Sequence, residues 1–314
     1  MLKKMLKITA AVLAAGMLGG CQSSIGGPDG DFSVIGSSND SSVTDSGTGT
    51  STESSSESSS ESSSESSLES SGESSSESSP ESSVSEPVES APAVTPINTE
   101  PDYEWDKVIA LTFDDGPNTT TTNEVLDVLE KHQVVASFFL IGDNIDDESA
   151  KAVKRAYDLG CEINNHSKSH DYMDKMTAEE IKAEYDYVDE KVFEITGEHT
   201  KFFRPPYIAV GDLMWENIDA PFISGFGCND YDDNVSVDMR VLAVTKRGAV
   251  DGNIILLHDA LGNSKTVEAL DQIIPALKEQ GYKFTTVSGL FEAKGITPVS
   301  QMIYTNVEQQ GMWG

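Results

Sequence analysis

Leu111-Thr112-Phe113-Asp114-Asp115-Gly116-Pro117 is the stretch on which the reading of this chain turns. An apolar run from Val108 to Leu111 leads straight into two adjacent carboxylates, and a Gly-Pro turn then stops the chain. A strand that ends this way delivers a pair of acids to its own C-terminal end. In parallel α/β folds, the C-terminal ends of strands are where sites are built.

Downstream of this stretch the pattern alternates. Strands are predicted at 108–113, 136–141, 162–164, 202–204, 222–226, 253–257 and 283–286, and helices at 123–132, 149–159, 238–247 and 267–280, with a last helical turn at 288–292. Thr177, with Glu180 three residues on, has the capping-box pattern for a long helix reaching about Thr196. Alternating β and α elements with short connections imply an α/β fold whose parallel sheet closes, or nearly closes, into a barrel of about seven strands.

The 314 residues divide unevenly. Lys3, Lys4 and Lys7 precede an apolar, alanine-rich run from Ile8 to Met17 that is too short to span a membrane stably. It ends in Leu18-Gly19-Gly20-Cys21, the arrangement of a bacterial lipoprotein signal at 1–20, with lipid on Cys21 and no transmembrane helix in the mature protein. An ordinary secretory signal with an incidental cysteine is the plainer alternative. The linker at 21–100 is rich in Ser and Glu, with Glu53, Glu57, Glu61, Glu65, Glu69, Glu73, Glu77 and Glu81 four residues apart. Like charges at that spacing repel and serine is a poor helix former, so the stretch from Ser37 to about Pro96 is expected to be a disordered tether of roughly 40–50 Å end to end. The domain at 101–314 is long enough for a sizeable core. It carries 38 acidic and 18 basic residues, which argues against nucleic acid and suits a neutral ligand such as a glycan.

Chemistry-bearing residues recur at the ends of the predicted strands. Asp114-Asp115 closes the first, Asn165-His166-Ser167-Lys168-Ser169-His170 follows the third, and Arg204-Pro205-Pro206-Tyr207 the next. Asn229-Asp230-Tyr231 follows another, and Ile254-Ile255-Leu256-Leu257 runs into His258-Asp259. Of five histidines, His166, His170 and His258 fall at strand ends, whereas His132 and His199 lie in polar contexts and read as solvated. Two histidines four apart can face one metal together. Each motif alone has a plain reading as a turn, a packed pair or a rigid loop. Their coincidence on one face of one sheet is what points to a site.

This set resembles carbohydrate esterase family 4, the polysaccharide deacetylases with NodB homology. The matching motifs are Thr-Phe-Asp-Asp-Gly at 112–116, His-Ser-x-x-His at 166–170, Arg-x-Pro-Tyr at 204–207, an Asp-aromatic pair, and Leu-x-His at 256–258, in the family's order over nearly all of 105–295. The resemblance implies a distorted (β/α) barrel with fewer than eight strands and a metal-dependent hydrolase that removes acetyl groups from a polysaccharide. Asp115, His166 and His170 would hold the metal, Zn²⁺ by first expectation from the donor set, with Co²⁺, Mn²⁺ and Ni²⁺ as alternatives. Asp114 would act as base, with Arg204 as the cation that positions it. Adjacent residues of an extended strand point to opposite sides, which would divide the two carboxylates between roles. Tyr207 would offer its backbone N–H to the oxyanion, with Tyr231 and Leu256 lining the substrate side. His258 would protonate the leaving group, oriented by Asp230. The family's usual tryptophan after the fourth-motif aspartate is replaced by Tyr231, and Asp233-Asn234 offers a competing frame for the partner of His258.

N-acetyl groups of amino-sugar polymers such as peptidoglycan or chitin-type glycans, and O-acetyl groups of xylan, both suit these residues; N-deacetylation, the commoner family activity, is the expected reaction, and O-deacetylation of xylan is the alternative. Two other classes compete: a non-catalytic carbohydrate-binding surface lipoprotein, and an adhesin displayed by its low-complexity tail. A complete base, metal set and acid argue against a degenerate copy. The partners expected are a polysaccharide and, through Cys21, the extracytoplasmic face of the membrane, with the chain a monomer. Cys161 and Cys228 read as buried free thiols, with a disulfide the alternative for an exported protein.

Overall fold

The strand β1, Val108–Asp114, is buried along its whole length, as a strand covered on both faces must be. The computed structural model describes residues 94–97 and 107–309, so the leader read at 1–20, Cys21 and nearly all of the linker at 21–100 lie outside the described residues. Following β1 in chain order are α1 (Thr121–His132), β2 (Ser137–Leu140), α2 (Ser149–Asp158), β3 (Glu162–Asn165), α3 (Ala178–Thr196), α4 (Asp212–Asn217), β4 (Phe222–Ile223) and β5 (Phe226–Gly227). Then come α5 (Val237–Leu242), β6 (Ile254–His258), α6 (Ser264–Glu279), β7 (Lys283–Thr285), α7 (Val287–Ala293) and β8 (Ile303–Tyr304). Thr177 and Glu180 do form a reciprocal capping box at the start of α3.

Every pair of these strands is parallel, and the one antiparallel bridge among the described residues is Asn253 with Asn306. β1 lies between β6 on one side and β2 on the other, with β7 wedged against its first residues, Val108 to Ala110. β3 follows β2, and Phe203 bridges Asn165 to Phe222, which carries the sheet on to β4 and β8. The ring closes after β8, where Thr305 O accepts from Ile254 N at 3.1 Å and Val307 N donates to Gly252 O at 2.9 Å. The result is a distorted (β/α) barrel.

Two strands differ from the sequence pattern. The run at 222–226 is not one strand: it breaks at Gly225, whose φ of 76° lies in the left-handed region. A Cβ there would sit 3.1 Å from both Arg204 Nη2 and Leu256 Cβ, so glycine lets the chain turn a corner from β4, paired with β8, to β5, paired with β6. The strand expected at 202–204 is reduced to the single bridged residue Phe203. β8 and the single-turn α4 have no periodicity to announce them, because two and six residues are too few to show one.

Period-two alternation then decides what faces where. Ile109, Leu111 and Phe113 of β1, with Ile255 and Leu257 of β6, point outward into the core shared with the helices. Val108, Ala110 and Ile254 point into the barrel, where Val287, Leu290 and Phe291 of α7 plug its floor. Continuing that inward row upward brings Thr112 and Asp114 on β1, and Leu256 and His258 on β6, to the open end. Val94–Ile97 belongs to the same body: Ile97 is buried, and its N–H donates to Leu159 O at 2.9 Å, near the N-terminal end of β3. Cys161 and Cys228 are free and buried, and burial pushes each thiol up to about 12. Among the described residues no helix is long and apolar enough to cross a membrane.

Candidate active site

Asp114 is the last residue of β1 and faces inward. Asp115 lies just past the strand, and its φ of 72° is left-handed. Strict strand alternation would send the two carboxylates apart. The turn at Asp115 instead swings its side chain back, so that His166 Nε2 lies 3.6 Å from Asp114 Oδ2 and 3.5 Å from Asp115 Oδ1. The division between the two acids therefore rests on their other partners and not on alternation. Gly116 permits the turn, since a Cβ there would collide with the carboxylate of Asp259.

Asp115 Oδ1, His166 Nε2 and His170 Nε2 converge. The carboxylate oxygen is 3.5 Å from one imidazole nitrogen and 3.4 Å from the other, too far for good hydrogen bonds. Ligands at about 2.1 Å on a tetrahedral ion stand about 3.4 Å apart. Asp115 Oδ1 is buried and has no hydrogen-bond partner among the described residues. A carboxylate oxygen left bare between two imidazoles fits a divalent cation. His166 Nδ1 donates to Arg204 O at 2.7 Å, which fixes its tautomer with Nε2 free to ligate. Burial, then the neighbouring His166, hold His170 below the ordinary histidine pKa, toward the neutral form a metal needs. Burial works to raise Asp115, yet the pull of the neighbouring imidazoles, His166 first, wins and holds it below the ordinary range.

Asp114 has a different partner. Its Oδ1 pairs with Nη1 of Arg204, and both side chains are buried. Arg204 Nε also donates to Ile223 O at 3.2 Å, and the guanidinium lies 4.1 Å from the centroid of Phe139. Burial pulls the guanidinium pKa down, and the Asp114 charge opposes that pull.

His258 ends β6. Its Nδ1 donates to Asp230 Oδ1 at 2.9 Å, and its backbone N–H donates to Asp230 Oδ2 at 2.8 Å. Asp233, the competing partner, is 97% exposed and sits by Lys265. Burial works against the imidazolium, but Asp230 outweighs it, and His258 is pushed up to about 9. Tyr231 is 70% exposed, with its ring edge-on to His258 at 5.6 Å. Leu256 is half-buried two residues before His258 on the same face of β6. Tyr207, 55% exposed, packs against His170 with ring centroids 4.6 Å apart. The remaining histidines lie elsewhere, His132 paired with Asp271 and His199 with Asp189.

Several supporting residues escaped the sequence reading. Thr266 Oγ1 donates to Asp230 Oδ2 at 2.8 Å, and Asn263 Nδ2 donates to the Asp230 and His258 carbonyls. Asp259 accepts from Thr122 Oγ1 at 2.5 Å, and burial pushes its carboxyl up to about 7. Only its position after His258 hinted at it. Of the eight non-glycine residues with left-handed φ among the described residues, Gln133 and Gln301 lie elsewhere, and Asp115, Ser167, His170, Tyr207, Ile208 and Asn229 lie in the loops of this one site. Such conformations cost about 1–3 kcal/mol each and gather where function over-determines the backbone.

The polysaccharide deacetylase family model matches residues 103–220. The chain is 51% identical over 203 residues to a bifunctional xylanase/deacetylase of Pseudobutyrivibrio xylanivorans, an alignment that covers 64% of this chain and 33% of that one. It is 38% identical over 197 residues to a peptidoglycan-N-acetylglucosamine deacetylase of Bacillus cereus, covering 60% of this chain and 90% of the relative. The solved structure of a family 4 acetyl xylan esterase from Clostridium thermocellum, in complex with a cobalt ion, superposes with a TM-score of 0.63 at 37% identity, covering 65% of this chain and all of that one. The chain belongs to the polysaccharide deacetylases of carbohydrate esterase family 4, a family of carbohydrate deacetylases and esterases.

Proposed function

We propose that this chain is a metal-dependent hydrolase that removes acetyl groups from a polysaccharide. The observation that carries the reading is the bare, buried Asp115 Oδ1 facing His166 and His170, with Asp114–Arg204 on one side and His258–Asp230 on the other. A divalent cation in that triad, Zn²⁺ by its donor set, would polarise the acetyl carbonyl and lower the pKa of a coordinated water. The chain's own groups supply the rest. Asp114, held by Arg204, takes the proton from the attacking water. The Tyr207 backbone N–H donates to the developing oxyanion. His258, protonated at neutral pH, gives its Nε2 proton to the departing sugar oxygen or nitrogen.

Acetylated xylan is the favoured substrate, because the likeness at 51% identity is to a xylanase/deacetylase. N-deacetylation of peptidoglycan or a related amino-sugar polymer is the second reading, favoured by the Bacillus cereus relative. Acetate release from acetylxylan and from N-acetylglucosamine oligomers, measured side by side with and without chelator, tests both. Chelator-sensitive release from acetylxylan is expected; release only from the amino sugar would reverse the order, and no release from either would sink the reading. The leader ending in Cys21 supports lipid anchoring at the extracytoplasmic surface. A Cys21→Ala chain that stays membrane-bound would overturn that part.

A further inference from the structure

The turn Pro206-Tyr207-Ile208 holds two successive left-handed residues, Tyr207 at φ 58° and Ile208 at φ 55°. For an aromatic and then a β-branched side chain this is an uphill conformation, and it persists only where surroundings enforce it. The backbone enforces part of it: Ile208 N donates to Pro205 O and Ala209 N to Pro206 O, each at 3.0 Å. The rest comes from outside the turn. The Tyr172 ring stacks on the Tyr207 ring, with centroids 4.1 Å apart and planes 16° off parallel. The Lys175 ammonium stands 4.0 Å from the centroid of Tyr172. Although Tyr172 is itself 46% exposed, the next residue, Met173, is 1% exposed and packs among Ile181, Phe203 and Phe222. The stack is therefore rooted in the core.

We infer that Tyr172, with Lys175 beside it, is a positioning residue. It clamps the Tyr207 ring and so keeps the left-handed turn, and the Tyr207 N–H within it, aimed at the acetyl oxygen. The inference rests on the acetyl-hydrolase reading for its kinetic arm only. A ring stack of this kind converts to roughly a threefold to tenfold bias of the turn.

The experiment compares the full chain with Tyr172→Ala, Tyr172→Phe and Lys175→Met. Hydrogen exchange at the Ile208 and Ala209 amides reads the turn directly, with no need of turnover. Exchange about threefold to tenfold faster in Tyr172→Ala, and unchanged in Tyr172→Phe, is expected. On the acetylated polymer, Tyr172→Ala should lower kcat by a similar factor while KM and metal affinity stay within about twofold and Tm is unchanged, and Tyr172→Phe should rescue it. Lys175→Met should fall between. Unchanged exchange in Tyr172→Ala overturns the clamp. A raised KM at constant kcat would assign the ring to substrate contact instead, and equal loss in the Phe variant would place the effect in the hydroxyl. If the wild-type chain released no acetate, the functional reading would fall while the exchange arm still decided the clamp.

Discussion

Asp114 and His258 are register partners at the C-terminal ends of β1 and β6. Neighbours at one register of a parallel sheet point the same way, so both side chains reach the open end of the barrel together. Asp114 arrives bound to Arg204 and His258 arrives bound to Asp230. The proposed proton acceptor and proton donor are thus set side by side by strand pairing alone, with Asp115 one residue further on.

The two aspartates should separate under mutation. Asp115→Ala removes the bare oxygen of the triad, so metal affinity should fall by more than about 100-fold, and turnover with it. Asp114→Asn leaves that triad intact, so metal affinity should hold while kcat drops about 10²–10⁴-fold. Calorimetric metal titration alongside acetate release checks both. Near-normal turnover in Asp114→Asn would show that the base has been misassigned.

The His258–Asp230 pair sets a pH dependence of definite sign. His258 has its pKa raised to about 9 from the ordinary 6.5. A histidine raised on folding contributes stability that is complete below 6.5 and is lost as pH rises through about 9. In the metal-free protein, NMR titration should therefore place His258 near 9, and stability should decline on the alkaline side of neutrality. Asp230→Asn should move the titration toward 6.5 or below and flatten that decline, whereas Asp233→Asn should change neither. An unmoved titration in Asp230→Asn would remove Asp230 from its place as partner.

Gly225 offers a steric test. An alanine there must hold φ near 76° with its Cβ 3.1 Å from Arg204 Nη2. A cost of about 1–3 kcal/mol is expected, and at 2–4 °C per kcal/mol for a domain of this size thermal denaturation should shift accordingly. Because the clash is with the arginine that holds Asp114, kcat should fall as well. Unchanged melting and turnover would mean that the corner is not strained.

Much of this was legible in the chain because strand ends announce themselves: an apolar run stops and chemistry begins, as at Leu111 to Asp115 and Leu257 to His258. What was not legible depends on tertiary placement. The choice of Asp230 over Asp233 is made by Thr266 and Asn263 on and beside α6, more than thirty residues away in sequence. The convergence of Asp114 and Asp115 on His166 depends on one left-handed φ that no side-chain pattern encodes. The corner at Gly225 divides a run that reads as a single strand, since glycine within an apolar stretch is also compatible with a bulge.

Ile97 makes a last test, at the other end of the barrel. It is 7% exposed within the main core, and its N–H is bonded to Leu159 O, before β3 begins. The site lies at the C-terminal strand ends, so this contact should serve stability without touching chemistry. Ile97→Ala in the full chain should cost about 2 kcal/mol, at the low end for a buried isoleucine because the segment is short and can relax. Its kcat and KM should match the wild type below the melting transition. Denaturant unfolding and acetate release, measured on the same preparation, separate the two effects. Unchanged stability would show that Val94–Ile97 only rests on the domain, and a loss of kcat at full stability would mean that this end of the barrel communicates with the site.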